Sequence, residues 1–331
     1  MKDMLASYAA KRKAEQLTSS ISAASSSSSA SLQVKHHKSG GGGSISAAAP
    51  REPPPDFLIL GAQKAGTKAC VTNLNKRPDI YVWGEPHFFD LGWHTRTVES
   101  YCKHFSVMGA GKRLRGEKTP ELIYVDDCAP RIKQVCPEAK FILFLREPIK
   151  RAYSGWNMNV KRRIEELPFD AACKRNFDNL GEFRSHGTAE YHYVQRGFYM
   201  DQIERFLKIF PDRSKLHIVI AERVRANMKV EYGKILAFIG ADVNAPLVLE
   251  DDHVGSYTKP MSDTVREKLR RIYTPHNERL YDFLGFRIPE WEEEKVEGKT
   301  RGETAAAEGV GGAVGAAADK SMEAEVSAKP G

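Results

Sequence analysis

The chain has 331 residues and a formal net charge of +7, with 41% apolar and 28% charged residues. No stretch approaches the roughly 18–20 apolar residues that span a bilayer, so a transmembrane anchor is not expected. Five cysteines, Cys70, Cys102, Cys128, Cys136 and Cys173, lack both the paired spacing of a zinc site and the density of a disulfide scaffold, and a reduced structural role is expected.

Residues 1–55 contain the Ser/Ala-rich run Ser19–Ser31, the glycines Gly40–Gly43 and Pro53–Pro55, and read as a disordered or targeting segment. Residues 291–331 read as a low-complexity tail of small and charged residues. Between them, 56–290 holds enough apolar sequence for one core and is expected to be a single domain. Seven basic and three acidic residues precede it, and five basic and nine acidic residues follow, so the ends cancel and the excess of +7 belongs to 56–290. A basic folded region favours anionic ligands, and Lys161-Arg-Arg163 is its densest local cluster of interest.

In chain order, Phe57–Leu60 reads as a buried strand running into a glycine turn at Gly61 and a helix containing Val71–Asn75. Helical patterns then cover Pro130–Val135, Ala152–Val160, Met200–Ile209, Val230–Ile239 and Thr264–Leu284, and buried strands are predicted at Phe141–Leu145 and Leu216–Ile220. Alternation of this kind predicts an α/β fold, a P-loop-like parallel sheet flanked by helices, with ligands at the carboxyl edge of the strands.

Two motifs fall at that edge. Gly61-Ala-Gln-Lys-Ala-Gly-Thr-Lys68 nearly satisfies the Walker A spacing, but Thr67-Lys68 reverses the Lys-then-hydroxyl order that places a magnesium ligand. Its backbone N–H groups and helix start can still wrap an anion, and Lys64 can reach a bridging oxygen between two anionic groups. In the second motif, Lys140–Leu145 delivers Arg146 at its tip, Pro148 suits a first helical turn, and Ser154 follows about two turns on. A guanidinium and a hydroxyl can converge there on a second phosphate.

The ordered pair of motifs resembles the sulfotransferases that use 3′-phosphoadenosine 5′-phosphosulfate (PAPS). Glu85-Pro-His-Phe-Phe-Asp90, Gly116-Glu-Lys-Thr-Pro120, Arg196-Gly-Phe-Tyr199, Phe206–Pro211 and Leu280–Gly285 extend the likeness to the heparan-sulfate type, including the glucosaminyl 3-O-sulfotransferases, over about Phe57–Phe286. The resemblance implies PAPS as donor, 3′-phosphoadenosine 5′-phosphate (PAP) as product, no metal, and a saccharide or anionic polysaccharide acceptor rather than nucleic acid. It implies Glu85 as general base supported by His87 and Asp90, Lys64 as electrophilic partner at the phosphate–sulfate bridge, and Lys118 completing the anion clamp. Lys64, Ala65, Gly66, Thr67, Lys68 and Ala69 are expected at the 5′ end of the donor, and Arg146 and Ser154 at its 3′-phosphate. Tyr257 and Lys259 are expected in a loop over the nucleotide, and Lys68, Glu85, Asp90, Lys118 and Trp156 at the acceptor. Trp156 also reads as a core residue. A Golgi location is suggested by the resemblance alone, and location is otherwise left open.

Two other readings stay open on the sequence: a P-loop nucleotide kinase or triphosphatase, which the reversed Thr67-Lys68 opposes, and a noncatalytic polyanion-binding module, which leaves Glu85 without a role.

Overall fold

A computed structural model describes residues 52–178, 190–250 and 261–292. Its centre is a five-stranded, all-parallel sheet in the order β2-β3-β1-β4-β5, built from β1 (Phe57–Gly61), β2 (Ile80–Gly84), β3 (Leu114–Lys118), β4 (Lys140–Leu145) and β5 (Leu216–Ile220). The helices are α1 (Thr67–Asn75), α2 (Val98–Met108), α3 (Cys128–Val135), α4 (Pro148–Lys161), α5 (Phe169–Asp178), α6 (Tyr199–Ile209), α7 (Ala221–Ala226), α8 (Met228–Ile239) and α9 (Asp263–Leu284). Among the described residues no helix is long and apolar enough to cross a membrane.

β1 and β4, two of the three inner strands, read as unbroken apolar runs because helices cover both faces of a parallel sheet. Phe57, Leu58, Ile59 and Leu60 are fully buried, and each such side chain contributes about 1.5–3 kcal/mol relative to exposure. β2 alternates buried and half-buried residues, as an edge strand does. Its open edge is blunted by Asn75, whose side-chain amide donates to the Val82 carbonyl at 3.0 Å and accepts from the Val82 N–H at 2.7 Å.

The sequence predicted β1, β4 and β5 and missed β2 and β3. β3 reads Leu-Arg-Gly-Glu-Lys, and Glu117 and Lys118 are buried although ionisable, so neither hydrophobic period nor alternation marks it. Helices α2, α5 and α7 were also missed, while every helix that was predicted lies inside an observed one.

Topology then sets the ligand edge. Chain leaving β1 crosses to β2 at one side of the sheet, whereas chain leaving β4 continues to β5 at the other. Loops that diverge between adjacent strands leave a crevice at their carboxyl ends. The register pairs Ile59 with Lys118 and Gly84 with Lys118, so β2 and β3 finish at one level and β1 runs two residues further, to Gly61.

All five cysteines are free and buried. The expected domain limits of 56 and 290 each cut a packed contact: Pro55 is buried, and Trp291 packs on the main core. We propose a folded region that includes both.

Glu117, fully buried on β3, accepts the Tyr101 hydroxyl at 2.5 Å through Oε2, and its Oε1 has no partner. Burial pushes its pKa up to about 8, with the Tyr101 hydrogen bond opposing and the nearby Asp90 charge adding to the rise. A carboxyl that binds its proton more tightly when folded loses stability as pH rises from its unfolded value toward about 8. Glu117→Gln, which keeps the shape without titrating, should therefore melt progressively above wild type between pH 5 and 8. Thermal unfolding across that range measures the gap, and a gap independent of pH contradicts the assignment.

Candidate functional site

The crevice is framed first by the loop after β1. Gly61 has φ +131°, and a Cβ there would stand 2.6 Å from the Pro120 carbonyl oxygen, so only glycine lets the loop pass so close to the β3 exit. Lys64 and Gly66 also have positive φ, at 70° and 96°, and Gly66 sits at the N-cap of α1 without a capping side chain. The Thr67, Lys68 and Ala69 N–H groups precede the first intrahelical bond, Cys70 N–H to Gly66 O, and face the loop as donors for an anion. Thr67 is buried, Lys68 exposed, Ala69 half-buried, and Ala65 fully buried with its N–H turned back to Ala62 O.

The second wall follows β4. Arg146, mostly buried, donates from Nη1 to the Lys64 carbonyl at 3.1 Å and so ties the two loops together. Glu147 caps α4 by accepting from the Ile149 and Lys150 N–H groups at 2.9 and 2.6 Å. Ser154 lies buried in the second turn of that helix. The cationic surroundings are dense enough to hold the Lys64 ammonium below its ordinary pKa, through burial first and then Arg146, Arg162 and Lys161, with Glu85 opposing.

Glu85 and Lys118 complete the floor. Lys118 is 3% exposed and donates a short hydrogen bond to Glu85 Oε1, while the Glu85 side chain is 48% exposed and faces the crevice. Glu85 and His87 both take left-handed backbone, φ 57° and 50°, which turns the chain sharply after β2. The Glu85 N–H is fixed on the Lys118 carbonyl at 2.6 Å. Burial alone would raise the Glu85 pKa, but the Lys118 hydrogen bond and charge, with His87 and Arg162, outweigh it and hold the carboxyl below its ordinary value.

His87 links this floor to the core. Its Nδ1 is 2.8 Å from Asp90 Oδ2, and its Nε2 is 4.0 Å from Glu85 Oε2. Burial disfavours the imidazolium, but the Asp90 hydrogen bond and charge, then Glu121 and Glu85, push the pKa up to about 9. His87, Asp90 and Glu121 bring ligand atoms within 4.8 Å of one another, a set that could hold a cation; at neutral pH the His87 proton supplies that positive charge.

Two expectations change. Trp156 is 7% exposed, stacks on Tyr153 at 5.5 Å and donates its indole N–H to Leu167 O at 2.9 Å, so it packs in the core beneath α4 and offers no face to a sugar. Asp90, also expected at the acceptor, is buried with its Oδ2 on His87 Nδ1, where it supports the imidazole. Tyr257 and Lys259 lie outside the described residues. The sequence reading gave no role to Gln63, Glu121 or Arg196: Gln63 Nε2 donates to Glu121 Oε1 at 3.1 Å, and Arg196 Nη2 lies 3.7 Å from the same oxygen. Glu121 directly follows the Gly116–Pro120 motif, the one signal that could have found it.

Residues 54–284 match the sulfotransferase domain family. Over 186 residues the chain is 28% identical to heparan sulfate glucosamine 3-O-sulfotransferase 3B1 of Homo sapiens, a match covering 55% of this chain and 45% of that protein. Over 262 residues it is 26% identical to heparan sulfate glucosamine 3-O-sulfotransferase 6 of Mus musculus, covering 69% and 71%. The chain spans about half the length of the first curated relatives it matches. In three dimensions it is similar to a sulfotransferase from Alicyclobacillus acidocaldarius, with a TM-score of 0.60 and 25% identity over 72% of this chain and 98% of that one.

The Lys118–Glu85 pair makes a direct prediction. Lys118→Met removes the ammonium that holds Glu85 ionised and leaves burial unopposed by its largest counterweight, so the Glu85 pKa should rise. Carbon-13 NMR titration of labelled glutamate carboxyls reads this, and an unchanged or lower pKa in the folded variant contradicts the pairing.

Proposed function

The chain belongs to the sulfotransferase domain family, and from that premise we propose that it is of the heparan-sulfate type and moves a sulfuryl group from PAPS to a hydroxyl of a saccharide, on a heparan-like or other anionic polysaccharide. One observation carries the reading: an exposed carboxylate on a buried ammonium, Glu85 on Lys118, opens onto the same crevice as the Lys64 loop and Arg146.

In this reaction the acceptor hydroxyl gives its proton to Glu85 as its oxygen bonds to sulfur. The bond between sulfur and the bridging oxygen breaks, and the electron pair leaves on the 5′-phosphate of PAP. Transfer of this kind asks the protein mainly for positioning and charge stabilisation. Lys64 is placed to neutralise the departing phosphate, the α1 N–H groups hold the 5′ end, and Arg146 with Ser154 hold the 3′-phosphate. Glu85, kept below its ordinary pKa, is a weak base at equilibrium. The hydroxyl becomes more acidic as the S–O bond forms, so a carboxylate that is always ionised and correctly placed is sufficient. Protonated His87 steadies Glu85 from its far side. For the acceptor, Lys161 and Arg162 at the end of α4 act on Lys64 across the crevice and supply charge for a polyanion. The relatives named above act on heparan sulfate, which supports this acceptor class.

Calorimetry should show PAP binding and ATP binding much more weakly. Arg146→Ala should cost about 1.5–3 kcal/mol of PAP affinity, as loss of a charged hydrogen bond does, and Ser154→Ala less. Unchanged affinity in both folded variants removes the 3′-phosphate site, and preference for ATP favours the kinase alternative.

Glu85→Gln should preserve PAP binding and slow single-turnover sulfuryl transfer by about two to four orders of magnitude. Near-normal transfer at saturating donor and acceptor excludes Glu85 as the base and directs attention to His87.

A further inference from the structure

Arg146 leaves the end of β4 at a turn whose backbone is gripped from both sides. The Tyr199 hydroxyl, buried on α6, donates to the Arg146 carbonyl at 2.7 Å. The next residue, Glu147, donates its N–H to Glu222 Oε1 at 3.1 Å, while the Glu147 carboxylate is occupied with the first turn of α4. Glu222, on α7, is 12% exposed; its Oε2 accepts the Trp291 indole N–H at 2.9 Å, and Arg225 lies 4.0 Å from its Oε1.

Trp291 therefore reaches the turn by two routes. Its indole N–H fixes the carboxylate that holds Glu147, and its ring lies 5.9 Å from Tyr199, which holds Arg146. Neither route touches the crevice itself. The Trp291 ring also lies 6.4 Å from Tyr281, and the segment bearing it is pinned by the Arg223–Glu290 ion pair at 3.0 Å and by fully buried Ile288.

We infer that Trp291 and Glu222 are positioning residues for the donor: they set the Arg146–Glu147 turn so that the Arg146 guanidinium meets the anionic end of the nucleotide without rearrangement. The inference rests on the proposed donor site. A guanidinium makes directional paired hydrogen bonds, so a small tilt of its backbone costs alignment. Glu222 orients the turn only while both its oxygens accept; with Trp291 Nε1 removed, one oxygen is released and the carboxylate is free to rotate toward Arg225. The effect belongs to donor binding, because Glu85, Lys118 and His87 are held by β2, β3 and the Asp90 turn and share none of these contacts.

The test uses the full chain carrying Trp291→Phe, which keeps an aromatic ring beside Tyr199 and Tyr281 and removes only the N–H donor. The PAP dissociation constant should rise about three- to tenfold, the range for one lost hydrogen bond acting through geometry. Turnover at saturating donor and the acceptor KM should stay within about twofold, a split that general loosening of the fold does not produce. In an Arg146→Ala background the same substitution should have no further effect on PAP affinity, since two residues acting through one contact are not additive. If Trp291→Phe lowers the melting temperature, Glu222→Gln answers the same question with the indole intact, because an amide accepts from only one of the two N–H groups. Unchanged PAP affinity in a folded variant, or an equal penalty with and without Arg146, overturns the inference while leaving the donor site standing. PAP affinity indifferent to Arg146→Ala overturns the donor site and this inference together.

Discussion

A buried ammonium needs a negative partner, and in this protein the partner stands on the floor of the crevice. Lys118 ends β3 with almost no solvent contact, and Glu85 is the carboxylate within ion-pair reach of its Nζ among the described residues. Removing one member of such a pair leaves an uncompensated charge in a medium that solvates it poorly. The sharp left-handed turn at Glu85 and the bond from its N–H to the Lys118 carbonyl keep the pair in register at the ends of adjacent strands. The same groups that satisfy Lys118 also fix a carboxylate, held below its ordinary pKa, beside the Lys64 loop.

The charges around that contact are graded. Arg146, Arg162 and Lys161 crowd one side and add to burial in depressing the Lys64 ammonium. Asp90, Glu121 and Glu85 surround His87 on the other and hold its proton. A dianionic or trianionic ligand entering the crevice relieves the first crowding, because its phosphates take up the repulsion among the cations. The crevice thus favours anions, and a neutral ligand of the same shape gains none of this relief.

Much of this was legible in the sequence where burial and periodicity coincide. Phe57–Leu60 and Phe141–Leu145 announce themselves because these two inner strands are apolar along their buried length, and the glycines and Arg146 that follow are placed by those strands. β3 was illegible for the opposite reason: Glu117 and Lys118 are buried for pairing with Tyr101 and Glu85, both distant in sequence, and no local pattern encodes a partner 16 or 33 residues away. Trp156 shows the limit from the other direction. An aromatic residue in an acceptor-side motif suits a sugar platform or a core equally, and only the position of Leu167 O and the rings of Tyr153 and Phe169 decides for the core. Trp291 fell outside the expected domain because the residues after it are charged and low in complexity, although its indole N–H is tied to Glu222 across 69 positions.

Helix α1 is only nine residues long, yet its first turn closes the Lys64 loop and its last residue, Asn75, covers the outer edge of β2 at Val82. A short helix gains little from its own propensity and relies on what holds its ends. An anion bound at the first turn stabilises the whole helix, including the amide that occupies the Val82 backbone. Anion occupancy of that first turn and cover of the β2 edge are in this way coupled through one helix.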